Sequence, residues 1–370
     1  MIETLKRTPL YEEHQRARAK IVPFAGWEMP VQYPAGIVAE HNLVRKAAGL
    51  FDVCHMGELE VRGPQALDLV QYVTTNDASK LAVGQAQYSV ICHEDGGAVD
   101  DCIVYRFPDH YMIVVNASNA EKDREWIRSH AGRFDATLTD RSDETGLIAI
   151  QGPRAPAILQ RITDTPLDDI GYYHFAEGHV DGIPAVISRT GYTGEDGFEL
   201  YIPADRTPQL WRRLLEAGAA EGVAPIGLGA RDSLRLEMGY ALYGNDLDDR
   251  RTPLEAGLGW VTKLDKGDFL GRDALQQLKQ RGLRERLVGF VLKERGFPRH
   301  GYPVRYQGEE AGEVTSGIVS PSTGQGVGMA YVPVEAAKPG TEIEIMIRDR
   351  AIAAEVVRPP FYPNGSVRKQ

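Results

Sequence analysis

Apolar and polar positions change rhythm several times along the chain. Residues 5–35 carry Phe24, Trp27, Tyr33 and four prolines with little helical period, which predicts a rigid loop that packs aromatics. Ile37, His41, Val44 and Ala48 then fall at helical spacing, with Gly49 as a stop. Residues 50–56 lead into 58–62, which alternate like a strand open on one face. Gly63-Pro64 starts a helix through Leu67, Val70 and Val73, with proline in its first turn. Strands are predicted at 87–91, 102–105 and 111–116, the last one central because its apolar run is unbroken, and a helix at 119–129. This succession suits an α+β layer with helices on one face.

Gly152-Pro153 after the apolar run 147–150 repeats the Gly-Pro step of Gly63-Pro64 and hints at a duplicated half. Strands at 185–188 and 198–202 bracket the glycine-rich loop 189–197, and Thr207-Pro208 is expected to cap a helix carrying Leu210, Trp211, Leu214 and Leu215. A further helix spans 230–237, and the polar stretch 271–282 reads as a helical connector. Beyond it come short alternating strands at 287–291, 312–316, 326–330 and 342–347 with turn signals between them, the pattern of an all-β barrel or jelly roll. The chain is thus expected to divide into 1–275, with two interleaved α+β subdomains of which one spans roughly 55–140, and 283–370.

Length and composition narrow the class. A chain of 370 residues, 42% apolar and 25% charged, is expected to form two or three soluble domains. No run approaches the roughly 18 apolar residues of a membrane helix, and residues 1–10 include Glu3 and lack the apolar core of a signal peptide. A cytoplasmic protein is expected. Cys54, Cys92 and Cys102 are odd in number and lack Cys-x-x-Cys spacing, so neither a disulfide framework nor a metal site is expected. The formal charge of −10 argues against nucleic acid as a partner, yet permits a small anionic ligand held by a few arginines. Nucleotide-binding and nucleophile-elbow motifs are missing: Gly227-Leu228-Gly229-Ala230 lacks the third glycine of a dinucleotide fold.

Three stretches carry candidate chemistry. Gly96-Gly97-Ala98-Val99-Asp100-Asp101 runs from a tight turn into the apolar strand 102–105, so two carboxylates are expected at a turn-to-strand junction beside a dry wall. The alternative is a pair of solvated turn residues. In the loop before the strand 198–202, three glycines let backbone approach a flat ligand and Tyr192 can stack on one. Glu199, if inward, would match a ring edge bearing N–H beside NH₂; if outward, it is an ordinary edge-strand acid. Arg231 and Arg235 lie one turn apart. Arg231, at a helix start with free backbone donors, is expected to meet a ligand, and Arg235 to serve structure. His41, His55 and His93 lack a metal-like arrangement and read as core or surface histidines.

Together these stretches resemble the aminomethyltransferase (T-protein) family of the glycine cleavage system. The matching pieces are Thr8-Pro9-Leu10-Tyr11, Phe24-Ala25-Gly26-Trp27, Phe51-Asp52-Val53 with His55-Met56, and Gly96-Gly97 with Asp100-Asp101. They continue with Gly191-Tyr192-Thr193-Gly194-Glu195, Ala230-Arg231-Asp232-Ser233-Leu234-Arg235, Tyr243-Gly244-Asn245-Asp246, Thr315-Ser316-Gly317 and Ser320-Pro321. Coverage is essentially the whole chain, in order. Cys54 departs from the serine usual before His-Met. The resemblance implies an α+β fold of three domains in a ring around a central tetrahydrofolate site, with ferredoxin-like layers and a C-terminal barrel. It also implies transfer of the one-carbon unit of an aminomethyl-lipoyl carrier, the H-protein, to tetrahydrofolate without a metal. Methylenetetrahydrofolate, ammonia and the dihydrolipoyl carrier are the implied products, and the other glycine cleavage components are implied partners. Carried over by position, Asp101 looks like the catalytic carboxylate, Glu199 the residue gripping the pterin, and Arg231 a further folate contact. The resemblance also implies that Tyr88, Asn116, Tyr172 and Tyr192 line the folate, that Met56 borders it, and that a C-terminal basic residue, Arg368 in preference to Arg358, contributes to the site. Two relatives of the same fold are alternatives. A folate-dependent demethylating module would carry a flavin domain, for which no Gly-x-Gly-x-x-Gly stands at the start. A non-enzymatic iron–sulfur maintenance protein would show Lys-Gly-Cys-Tyr-x-Gly-Gln-Glu, which is missing.

Overall fold

The structure, a computed structural model, describes residues 4–369. Helix α1 (Tyr11–Arg16) precedes β1 (Lys20–Phe24) and β2 (Trp27–Gln32). The expected loop is therefore a hairpin. Ala25 and Gly26 both take positive φ, 52° and 80°, as in the two-residue turns whose twist suits antiparallel strands. Pro23 and Pro30, which obscured the pattern, lie in a two-stranded ribbon where a missing N–H is tolerated. Helix α2 (Ile37–Lys46) leads to β3 (Gly49–Asp52), so Gly49 opens a strand rather than ending the helix. A Cβ there would fall 2.3 Å from Ile226 Cγ1, and only glycine lets the neighbouring strand approach.

Strand β4 (Gly57–Arg62), helix α3 (Ala66–Val73), strands β5 (Gln85–Cys92), β6 (Ala98–Arg106) and β7 (His110–Val115), helix α4 (Ala120–Ala131) and β8 (Thr137–Asp140) form the first layer. Its sheet runs β5-β6-β7-β4-β8, with the apolar β7 in the centre as its sequence requires. Leu69, Val70 and Val73 of α3 and Ile127 of α4 pack on one face, against Leu59, Val61, Val104 and Ile113. Ile103, Tyr105 and Val114 occupy the other face.

A second layer contains β9 (Thr145–Gln151), α5 (Ala155–Leu159), β10 (Phe175–Val180), β11 (Ile183–Ser188), β12 (Gly197–Pro203), α6 (Thr207–Ala217), β13 (Ala224–Ile226) and α7 (Leu228–Met238). Its sheet runs β10-β11-β12-β9-β3-β13. Ile148, Ile150, Phe198 and Leu200 meet α5 and α6, while Leu147, Ala149 and Tyr201 turn toward the first sheet. Thus two sheets face each other with helices outside. The two Gly-Pro steps share a geometry: Gly63 and Gly152 leave their strands at φ 122° and 139°, in close contact with backbone that a side chain would strike. Thr207 does not cap α6. It is the first helical residue, makes no capping hydrogen bond, and packs its hydroxyl over Gly146.

After α8 (Arg272–Arg281) the chain closes a barrel in the order β14 (Glu285–Leu292), β17 (Gly326–Pro333), β16 (Glu309–Val319), β15 (Pro303–Tyr306), β18 (Glu342–Ile347) and β19 (Arg350–Val357). Four of these strands are the ones the alternation indicates; β15 and β19 complete the circle. Phe290, Val304, Val314, Ile345 and Val356 fill the interior. The barrel is seated on α7 by a buried polar joint. Asp246 accepts from Arg235 Nη1 at 2.6 Å, Ser316 Oγ at 2.8 Å and Leu242 N at 2.9 Å, and Arg235 Nη2 donates to Ser316 Oγ at 2.9 Å. Arg235 is structural, as its spacing beside Asp232 suggests. Replacing Asp246 by alanine would strand a buried guanidinium. That costs ~3–5 kcal/mol, to be read as a fall in the denaturation midpoint; an unchanged midpoint would exclude the joint from stability.

Candidate active site

The two facing sheets do not pack throughout. Between them lies a cavity of about 610 Å³, a volume suited to a small organic ligand. Residues 239–243 after α7, with Leu258 and Trp260, complete its wall; among the described residues no barrel residue lines it. Asp101, Tyr88, Asn116, Met56, Tyr172, Tyr192, Glu199 and Arg231 all line this one cavity. The side chain of Arg368 lies outside the described residues, and Arg358 is exposed and is not part of the lining.

Asp100 and Asp101 stand inside β6, not at its entrance, because the strand already begins at Ala98. They pair with Ile91 and Val90 of β5, and successive strand residues face opposite sides. The turn before them needs both glycines: Gly96 has φ 91°, and a Cβ on Gly97 would lie 2.0 Å from Asp249 O. Asp101 faces the cavity. Its Oδ2 accepts from Tyr88 Oη at 2.8 Å and its Oδ1 from Asn116 Nδ2 at 2.8 Å. Burial and the neighbouring Asp100 push the Asp101 carboxyl above the usual carboxylate range, against the pull of the Tyr88 and Asn116 donors.

Asp100 faces the helices and is fully buried. It accepts from Asn116 N at 3.1 Å, Asn116 Nδ2 at 2.9 Å and Asn119 Nδ2 at 2.9 Å, so the Asn116 amide ties the two carboxylates together. Asp123 of α4 lies buried beside this group; burial and Asp100 drive its carboxyl far upward, so it holds a proton at neutral pH. The unfolded chain releases that proton, and the native state therefore weakens as pH rises above the ordinary carboxylate range. Asp123→Asn keeps the neutral shape without this dependence. Its stability advantage over the parent chain should grow by up to about 1.4 kcal/mol per pH unit through neutrality. Unfolding curves at several pH values with a constant gap would contradict a protonated Asp123.

At the second wall, alternation along β12 sends Phe198 and Leu200 to the helices and Glu199 with Tyr201 to the cavity, which resolves the open question of its face. Thr190 Oγ1 donates to Glu199 Oε2. Burial raises the Glu199 carboxyl, while Thr190 and Arg231 oppose the rise. Arg231 reaches the cavity from α7 with its guanidinium 4.5 Å from the Tyr192 ring centre. Tyr192 in turn lies nearly parallel to Tyr240, 5.7 Å away. The expected free donors at the start of α7 are not open to a ligand. Gly227 N donates to Glu40 Oε2 at 2.8 Å, and Gly227 and Gly229 lie close against Val31 O.

Sequence patterns missed several lining residues: Tyr173, Tyr240, Tyr243 and Trp260. They come from connecting segments without periodicity, and only their aromatic density hinted at a site. Trp260 is 63% exposed and stacks on Tyr88 at 6.0 Å, so it edges the cavity behind the Asp101 donor. Cys54, the departure from the family pattern, is buried and its Sγ bonds Leu147 N and O, both at 3.2 Å. His41 is held by Ser233, Ser322 and Glu237, and His55 is buried, with burial lowering its proton affinity to about 4. No group of three His, Cys, Asp or Glu residues is arranged to hold a metal among the described residues. No helix among them is long and apolar enough to cross a membrane.

Comparison with known proteins agrees with this architecture. Residues 10–266 match the model of the GCVT N-terminal domain, and residues 285–363 that of the glycine cleavage T-protein C-terminal barrel domain. An aminomethyltransferase of Symbiobacterium thermophilum is 54% identical over 370 residues, 98% of each chain. One from Rubrobacter xylanophilus is 53% identical over 362 residues, 97% of this chain and 95% of the other. The crystal structure of glycine cleavage system aminomethyltransferase T from Bartonella henselae superposes with a TM-score of 0.92 at 38% identity, covering 98% of this chain and 99% of that one. The chain belongs to the glycine cleavage T-protein family of aminomethyltransferases.

Proposed function

We propose that the cavity binds tetrahydrofolate and that the protein transfers to it the one-carbon unit of an S-aminomethyldihydrolipoyl carrier. The products are 5,10-methylenetetrahydrofolate, ammonia and the dihydrolipoyl carrier. The single observation that carries the mechanism is Asp101, half-buried on a strand, gripped by Tyr88 and Asn116, and lining a ligand-sized space. The carbon in transit sits between nitrogen and sulfur, so departure of either leaves positive charge on it. A carboxylate fixed beside that carbon stabilises the charge where water is scarce. Its raised proton affinity also suits it to pass a proton as ammonia leaves. Glu199 supplies two acceptor oxygens for the pterin edge, and Arg231 a cation for a ligand oxygen. Tyr172, Tyr192 and Met56 add apolar wall.

The carrier in this proposal is the lipoylated H-protein of the glycine cleavage system, acting in the cytoplasm with the other components. A flexible lipoyl arm reaches an acid inside a cavity that a whole protein surface cannot. Ammonia release from aminomethyl-loaded carrier, measured with and without tetrahydrofolate, tests the activity. Release that needs both is expected; release indifferent to tetrahydrofolate would defeat the proposal. The same assay separates this function from those of demethylating and non-enzymatic relatives, which would not act on the carrier.

A further inference from the structure

Behind Glu199 lies a chain of buried hydroxyls that the transfer itself does not use. Thr190 Oγ1 donates to Glu199 Oε2, and Ser188 Oγ lies 2.9 Å and Tyr105 Oη 3.4 Å from the same Thr190 oxygen. Ser188 Oγ also donates to Tyr105 Oη at 3.3 Å, and Tyr105 Oη meets Tyr201 Oη at 2.9 Å. These four side chains come from β6, the end of β11 and the loop after it, and β12, and all are buried. Among the described residues, Thr190 is the one hydrogen-bond donor to Glu199.

A hydroxyl has a single proton to give. When Thr190 gives its proton to Glu199, its own oxygen can only accept; Ser188 at 2.9 Å supplies it, or Tyr105 at 3.4 Å does when Ser188 spends its proton on Tyr105. The direction of the chain therefore makes Glu199 the acceptor at its end. A carboxyl sunk in protein otherwise tends to take up a proton and become half donor, and a donor there would repel an N–H of the ligand. We infer that Thr190, backed by Ser188, Tyr105 and Tyr201, is a positioning residue that keeps both Glu199 oxygens as acceptors and so sets the site's preference for a ring edge with two adjacent N–H donors. This rests on Glu199 meeting the pterin edge as proposed above.

The test compares binding of tetrahydrofolate with binding of its 2-deamino analogue, which lacks one of the two donors, by titration calorimetry. The parent protein should prefer tetrahydrofolate. Thr190→Val, equal in shape but without the hydroxyl, should lose about tenfold of that preference, and Thr190→Ser should keep it within about twofold. Weaker binding of both ligands by equal factors in Thr190→Val would mark a merely structural residue and overturn the inference. So would an unchanged preference in Thr190→Val when Glu199→Ala has lost it, and the ring-edge contact would then still stand. A preference that survives in Glu199→Ala defeats the ring-edge contact itself, and the inference with it. Should Thr190→Val not fold, Tyr105→Phe carries the test: it removes one supplier of Thr190, and an unreduced preference would overturn the inference.

Discussion

Asp101→Asn should bind tetrahydrofolate within about tenfold of the parent protein, roughly 1.4 kcal/mol, while turnover falls by a factor on the order of 10² to 10⁴. The two halves of this expectation have separate causes. An asparagine fits the same space and still offers one oxygen to Tyr88 Oη or Asn116 Nδ2, which now hold the carboxylate at 2.8 Å each. The cavity walls, and with them most of the folate contact, are unchanged. What disappears is the negative charge beside the carbon in transit and the group able to take a proton. Because burial and Asp100 hold the Asp101 carboxyl above the ordinary range, parent turnover should rise with pH across a limb displaced toward neutrality. The asparagine variant should lack that limb. Single-turnover rates across pH provide the check, and a variant with near-parental rates would remove Asp101 from the mechanism.

Glu199→Ala should instead fail at binding. Two charge-assisted hydrogen bonds to the ring edge are each worth ~1.5–3 kcal/mol, and their joint loss weakens tetrahydrofolate on the order of 100-fold or more. Glu199→Gln should fare little better, since its amide turns one of the two acceptors into a donor facing a donor. The glutamine result separates hydrogen-bond pattern from volume, because the side chain has the same size. Calorimetric titration reads both variants, and unchanged affinity in either would break the assignment of Glu199 to the ring edge.

Particular residues show how far sequence patterns reach. Four of the six barrel strands could be read because they alternate and are set off by turn residues. The central β7 could be read because a fully covered strand has no polar face to maintain. Asp101 could be singled out because a double glycine next to an apolar strand marks a carboxylate pair, but that stretch alone equally suits solvated turn residues, and its position inside β6 depends on pairing with β5. The hairpin β1–β2 was hidden by Pro23 and Pro30, whose propensity was overridden by an isolated ribbon. Glu199 was ambiguous because alternation defines two faces without saying which one is covered. That choice is made by α5 and α6, whose apolar stripes claim Phe198 and Leu200. Trp260, Tyr240 and Asp246 belong to segments with no period, and their roles arise only when distant elements meet. Asp246 shows this most clearly, since its partners Arg235 and Ser316 belong to different domains.

The most direct trial of the whole account is a crystal structure of the protein with tetrahydrofolate bound. The pterin edge should lie on Glu199, with the folate nitrogens that receive the carbon facing Asp101 across the ~3–3.5 Å of a reactive contact. A folate seated outside the space between the two sheets, or turned so that Glu199 meets the tail and Asp101 meets solvent, would contradict it.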